Sequence, residues 1–186
     1  MKTNTLALLI PLAVLAACGR TETPASSVAV TPPIVPTPGV TAQAVLSGAS
    51  GTSVSGELTF TGAANGVSVA GQINGIEPGT THGFHVHENG DCSAPDATSA
   101  GEHFNPQATQ HGDPTSSPKH LGDLPNIDSD AQGRATVNAT IEGATLRDSG
   151  AHDLVGKAVI VHAKRDDYMT QPSGDSGDRI ACGVIR

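Results

Sequence analysis

The chain has 186 residues, a formal net charge of −8 and 2 % aromatic side chains. That length allows one domain of ordinary size plus a tail, and nothing in the acidic balance points to nucleic-acid binding. With so little aromatic bulk, the core must be Val, Ile, Leu and Ala, and cross-links or metals are expected to contribute to stability.

Lys2 precedes a short apolar run, Leu6 to Ala17, interrupted by Pro11. It is too short for a comfortable membrane span and reads as a signal peptide over residues 1–17. The run ends in Leu15-Ala16-Ala17-Cys18, which resembles the bacterial lipobox, so Cys18 is expected to be lipidated and to become the mature N-terminus. A plain signal peptide cut near Ala17 is the competing reading. Gly19 rather than an aspartate follows the cysteine, which favours an outer-membrane anchor in the cell envelope, tethered by lipid and not spanning. Residues 18–41 are rich in Pro, Thr, Ser, Val and Ala. They read as the lipidated end and a disordered spacer. Setting Cys18 aside leaves Cys92 and Cys182, which in an exported chain most simply form one disulfide.

From Ala42 to Arg186 the patterns are those of strands. Val54–Phe60 alternates and runs into the turn Ala63-Ala64-Asn65-Gly66, and Val67–Ile73 alternates again before Asn74-Gly75. Ala135–Ile141 and Ala158–His162 are further candidates. Short strands between Gly-rich turns predict an all-β sandwich or barrel. Two long stretches, 89–126 and 163–178, lack strand patterning, and loops of that length in a compact domain are usually functional.

The chemistry is concentrated around His85-Val86-His87. On a strand, residues two apart share a face roughly 7 Å apart, so two imidazoles held this way can chelate one metal ion. The first long loop carries His103, His111, His120 and Asp123, and His162 ends a strand further on. Three imidazoles and a carboxylate within a short span match a closed tetrahedral zinc site. His85, His87 and His162 remain for a second metal, and His103 could serve both if it used both ring nitrogens.

Taken together, His85-Val86-His87, Ser99-Ala100-Gly101-Glu102-His103-Phe104-Asn105-Pro106, His111-Gly112, His120-Leu121-Gly122-Asp123-Leu124 and Gly177-Asp178-Arg179-Ile180-Ala181-Cys182-Gly183-Val184-Ile185 resemble the copper–zinc superoxide dismutases. The resemblance covers 42–186 in order. It implies a flattened, sandwich-like Greek-key β-barrel of eight strands with two long functional loops. It implies copper on His85, His87, His103 and His162, and zinc on His103, His111, His120 and Asp123, one of each metal per subunit. Arg179 resembles the guanidinium that attracts and orients superoxide, Asp166 the carboxylate linking a copper histidine to a zinc histidine, and Cys92–Cys182 the intrachain disulfide. His82 and His152 have no ligand counterpart and are expected to hydrogen-bond or pack. Lys119, Lys164 and Arg165 are the candidate steering cations. A homodimer stays open, because bacterial and eukaryotic members associate differently.

The implied activity converts two superoxide ions and two protons to dioxygen and hydrogen peroxide by alternating Cu(II) and Cu(I), with His103 cycling a proton. The chain's acidity does not oppose this, since local field and not net charge steers a small anion. A copper or zinc buffer using the same ligands is the competing class, weakened by Arg179, which storage does not need. A domain of this fold without copper is disfavoured because His85, His87 and His162 are all present.

Overall fold

The structure, a computed structural model, describes residues 38–186, so the export segment, Cys18 and the spacer through residue 37 lie outside it. Nine strands lie among the described residues: β1 (Thr41–Gly48), β2 (Ser55–Ala63), β3 (Gly66–Asn74), β4 (Thr81–His82), β5 (Phe84–His87), β6 (Ile127–Asp128), β7 (Arg134–Glu142), β8 (Ala158–His162) and β9 (Arg179–Val184). A single 3-10 turn, Thr98–Ala100, is the one helical element described. Seven strands form one curled sheet in the order β5-β8-β9-β1-β2-β3-β7, and β4 pairs with β6. All the strand pairs are antiparallel.

The small ribbon completes the Greek-key fold. β4 and β5 are one strand divided at Gly83, whose N–H donates to the Lys164 carbonyl at 2.7 Å and whose carbonyl accepts from the His162 N–H at 2.9 Å. β6 turns into β7 through the Ser129–Ala135 bridge. The two edges of the sheet are thereby joined through the ribbon, and the division at Gly83 is why eight expected strands are nine. The Ala64-Asn65 turn between β2 and β3 lies where the hairpin was expected, with Ala63 paired to Gly66.

Burial along the strands tells which face carries function. In β1 and β2 alternate residues are buried, as a strand with one wet face requires. Ala42, Ala44, Leu46, Leu58, Phe60, Val67, Val69, Ile73, Val137 and Ile141 fill the interior with Phe84, Val86, Val159 and Val161. Every residue of β5 and β8 is buried. Their inner side chains reach the core, while the outer ones, among them His85 and His87, are covered by the long loops. A second small cluster of Ala97, Ala100, Ala158, Ile160 and Cys182 seats the first loop on β8 and β9.

The Cys92–Cys182 disulfide ties that loop to β9, closing a separation of 90 residues. In the chain-entropy account, a bridge over such a loop is worth about 4–5 kcal/mol.

The first loop is laced along the free edge of β5. Val86 N–H donates to the Gly122 carbonyl at 2.9 Å, Phe104 N–H to the Val86 carbonyl at 2.8 Å, and Glu88 N–H to the Glu102 carbonyl at 2.9 Å. This pairing sets His85 opposite Asp123 and His87 opposite His103. It also removes an unpaired strand edge. Gly122 makes the approach possible, because a Cβ there would lie 2.2 Å from the Val86 carbonyl oxygen. We expect Gly122→Ala to destabilise the fold by about 1–3 kcal/mol and to weaken binding of the two metals that the sequence leads us to expect. Thermal unfolding with metal analysis checks this, and wild-type values in both would contradict the lacing.

Candidate metal centre

β5 presents His85 and His87 outward, as the alternation of a strand requires. β8 adds His162 at its end, where a register shift between Val161 and His162 interrupts its pairing with β9. Such bulges re-aim a side chain. The laced loop brings His103, His111, His120 and Asp123. Two groups of four potential ligands result, His85, His87, His103, His162 and His103, His111, His120, Asp123, with the ligand atoms of each within 4.8 Å of one another and all the residues buried.

The hydrogen bonds select which nitrogen of each ring faces inward. His85 Nε2 donates to Asp166 Oδ2 at 2.7 Å, His87 Nδ1 to the Gly101 carbonyl at 2.9 Å, and His162 Nδ1 to the Gly177 carbonyl at 3.2 Å. Their other nitrogens, with His103 Nε2, His111 Nδ1 and His120 Nδ1, are buried without hydrogen-bond partners. An unsatisfied buried polar atom costs about 1–3 kcal/mol, so six of them converging in two groups require an occupant that accepts lone pairs. A pair of cations does so.

The Asp123 group has the dimensions of a tetrahedral site. Nδ1 of His103, His111 and His120 lie 2.8, 3.0 and 3.3 Å from Asp123 Oδ1. Ligands bonded at 2.0–2.1 Å around tetrahedral zinc lie about 3.3 Å apart. Asp123 Oδ2 is turned away and accepts the main-chain N–H groups of Gly112 at 3.1 Å and His120 at 2.8 Å. His103 therefore offers Nδ1 to this group and Nε2 to the other.

Asp166 joins the groups from behind. Its Oδ2 takes His85 Nε2 at 2.7 Å and its Oδ1 takes His111 Nε2 at 3.0 Å. Gly174, at φ +69°, packs against this carboxylate so closely that a Cβ would fall 1.7 Å from Oδ1. Arg179 is the register partner of His162 across β8 and β9. Its guanidinium donates to the carbonyls of Ala97 at 2.8 Å and Gly101 at 2.7 Å. Because Gly101 O also accepts from His87, Arg179 is tethered to the same carbonyl as a ligand. A cavity of about 190 Å³ opens at Arg179 between Ser50, Asp96, Thr98, Gly177 and Asp178.

The electrostatics favour metal binding. Burial pushes His87 and His162 well below the ordinary imidazole value, and neighbouring imidazoles add to it. Burial lowers His103 to about 4 against its hydrogen bond to Asp123. Metals bind neutral imidazole, so these rings are ready for one. Burial would raise the Asp123 carboxyl, but the hydrogen bond from His103 and the close imidazoles of His111 and His120 hold it far below the carboxylate range. Burial would likewise lower His111, but the two carboxylates beside it, Asp123 near Nδ1 and Asp166 bonded to Nε2, raise it to about 9.

His82 and His152 join neither group. His82 is buried with Nδ1 2.8 Å from the His162 carbonyl and Nε2 2.6 Å from Thr80 Oγ1. His152 Nδ1 meets the Gly143 carbonyl at 2.8 Å. Lys164 and Arg165 are exposed just past β8, and Lys119 is half-buried beside His120. Gly101, Gly177, Gly174, Asn126 and Gln171 carry supporting roles that the sequence reading left unassigned. Three of them act through main-chain atoms or lack of a side chain, and the two amides act across long sequence separations. Gly101 and Gly177 had one sign, their place inside quoted motifs, and Gly174 had none.

With its pKa raised to about 9, His111 is expected to carry a proton at pH 7 that a zinc ion entering the Asp123 group would displace. Zinc binding should therefore release about one proton at pH 7 and fewer as pH rises through 9, and it should weaken as pH falls. Calorimetry in buffers of different ionisation enthalpy measures this. A buffer-independent enthalpy would contradict the arrangement.

Residues 54–185 match the family described as copper/zinc superoxide dismutase. The extracellular superoxide dismutase [Cu-Zn] of Brugia pahangi is 37% identical over 154 residues, which cover 78% of this chain and 75% of that one. Among solved structures, a SOD-like protein from Bacillus subtilis is similar with a TM-score of 0.71 at 34% identity, covering 77% of this chain and 97% of that chain. The clock protein EA4 is similar with a TM-score of 0.69 at 39% identity, covering 80% of this chain and 95% of that chain. The matched segment contains all seven residues of the two ligand groups, which suit one copper and one zinc. The chain belongs to the copper/zinc superoxide dismutase family.

Proposed function

We propose that the protein removes superoxide in the cell envelope, with copper held by His85, His87, His103 and His162 and zinc by His103, His111, His120 and Asp123. The observation that carries the assignment is His103, whose Nδ1 lies 2.8 Å from Asp123 Oδ1 while its Nε2 is buried without a partner beside His85, His87 and His162. The all-imidazole group suits copper, and the group with a carboxylate suits closed tetrahedral zinc. Copper supplies the one-electron oxidation and reduction, and zinc has no redox chemistry.

The residues of the chain divide the remaining work. Arg179 keeps its charge and offers planar donors to a small anion. Its bonds to Ala97 and Gly101 hold it rigid, so little ordering is needed when superoxide arrives. His103 Nε2 takes a proton in the half-cycle that releases dioxygen and returns it in the half-cycle that releases hydrogen peroxide. The balance is two superoxide ions and two protons in, one dioxygen and one hydrogen peroxide out. Asp166 fixes the rings of His85 and His111, so the ligand bearings survive each cycle. Lys119, Lys164 and Arg165 are the candidate steering charges.

The rest of the chain reads as a delivery device. A signal peptide over 1–17, lipidation of Cys18 and a spacer through 41 would tether the domain 42–186 to the outer membrane. The disulfide fits an oxidising compartment, in keeping with export.

Arg179→Ala should lower kcat/KM by about one to three orders of magnitude, the range by which a local field raises the encounter rate of a charged substrate, with metal content unchanged. Wild-type activity in that variant would remove Arg179 from the mechanism. Stripping copper should abolish superoxide decay and readdition restore it; bound metal without copper-dependent decay would favour the buffer.

A further inference from the structure

The loop that carries Asp166 also reaches the zinc group by a second route. Gln171 lies 60 residues from His111 in sequence, yet its Oε1 accepts the His111 main-chain N–H at 3.0 Å and its Nε2 donates to the His111 carbonyl at 2.9 Å. A side-chain amide thus pairs with the N–H and C=O of one residue, as a neighbouring strand would. Holding both groups fixes the peptide planes on either side of the His111 Cα, and hence the direction in which its imidazole leaves the chain. A carboxamide alone among side chains of this length places an acceptor and a donor side by side.

The turn that leads into Gln171 is pinned by Asp167. Asp167 Oδ1 accepts the N–H groups of Met169 and Thr170 at 2.8 Å, and Thr170 Oγ1 donates to Asp167 Oδ2 at 2.6 Å. The arrangement is reciprocated from the other loop. Asn126 Oδ1 accepts the Asp166 N–H at 2.9 Å and its Nδ2 donates to the Asp166 carbonyl at 2.9 Å, while the Asn126 N–H donates to the Tyr168 hydroxyl at 2.8 Å. Each loop therefore contributes one amide that grips the main chain of the other, and the bond between Asp166 and His111 lies between the two grips.

We propose that Gln171 is a positioning residue for zinc: its amide clamps the His111 main chain so that Nδ1 stays aimed at the ion. The inference rests on the assignment of zinc to His103, His111, His120 and Asp123. The clamp belongs to the second loop, so it also transmits order between the loop that follows β8 and the zinc ligands on the first.

The test compares zinc affinity of the metal-free full chain by chelator competition for wild type, Gln171→Met and Gln171→Glu. Gln171→Met keeps the length and loses both hydrogen bonds; Gln171→Glu keeps the acceptor and loses the donor. Zinc affinity should fall about ten- to a hundredfold in Gln171→Met, the range for loss of a group that orients a ligand, and less in Gln171→Glu. The metal-free melting temperature should change little. Wild-type zinc affinity in Gln171→Met would overturn the clamp, as would an equal loss of metal-free stability, which would mark a general packing role. Wild type that binds no zinc would instead overturn the assignment beneath it. Amide exchange at His111 in wild type gives a reading that needs no variant: the N–H should be protected in the zinc-loaded chain, and exchange at the rate of an open loop would also overturn the clamp.

Discussion

One imidazole stands in both groups of potential metal ligands, and the rest of the site is arranged around it. His103 presents Nδ1 to a group containing a carboxylate and Nε2 to a group of imidazoles alone. A ring with both nitrogens engaged in this way has no nitrogen left for an orienting hydrogen bond. Its position must then come from the main chain on which it sits, and from the neighbours that fix the two ions. That explains why the loop bearing His103 is paired to β5 along its length instead of standing free.

The pairing also explains why an otherwise wet strand is buried on both faces. β1 and β2 leave alternate residues to solvent, while β5 and β8 do not. Their outer faces carry the imidazoles, and the two long loops close over them. Burial keeps most of the rings neutral, which suits metal binding, and it would be costly if nothing satisfied the inward nitrogens. Metal binding and loop packing are therefore coupled. The disulfide adds a covalent tie at the point where the first loop passes β9, on the strand that begins with Arg179.

Much of this was legible in the sequence because ligand chemistry uses few residue types. A His-x-His on a strand, three further histidines with an aspartate, and an arginine just before the second cysteine of the pair could be read as a pattern. β2, β3 and β7 were legible for a different reason: a strand with one wet face has to alternate, and the Asn65-Gly66 turn marks a hairpin, while β8, buried on both faces, showed as a short apolar run. What could not be read is the set of atoms that act without side-chain chemistry. The carbonyls of Gly101 and Gly177 decide which nitrogens of His87 and His162 face inward. Asn126 and Gln171 act on residues 40 and 60 positions away, a distance at which no local pattern exists. The division of one strand at Gly83 was hidden too, because it depends on where β8 happens to meet it.

The most direct test of a shared His103 is anomalous diffraction from the chain loaded with one copper and one zinc. Data collected on either side of each metal's absorption edge would locate the two ions independently. Zinc is expected on the Nδ1 side of His103, beside Asp123, and copper on the Nε2 side, among His85, His87 and His162. Two ions that both lie away from His103, or a single ion with the other group empty after full loading, would contradict the account.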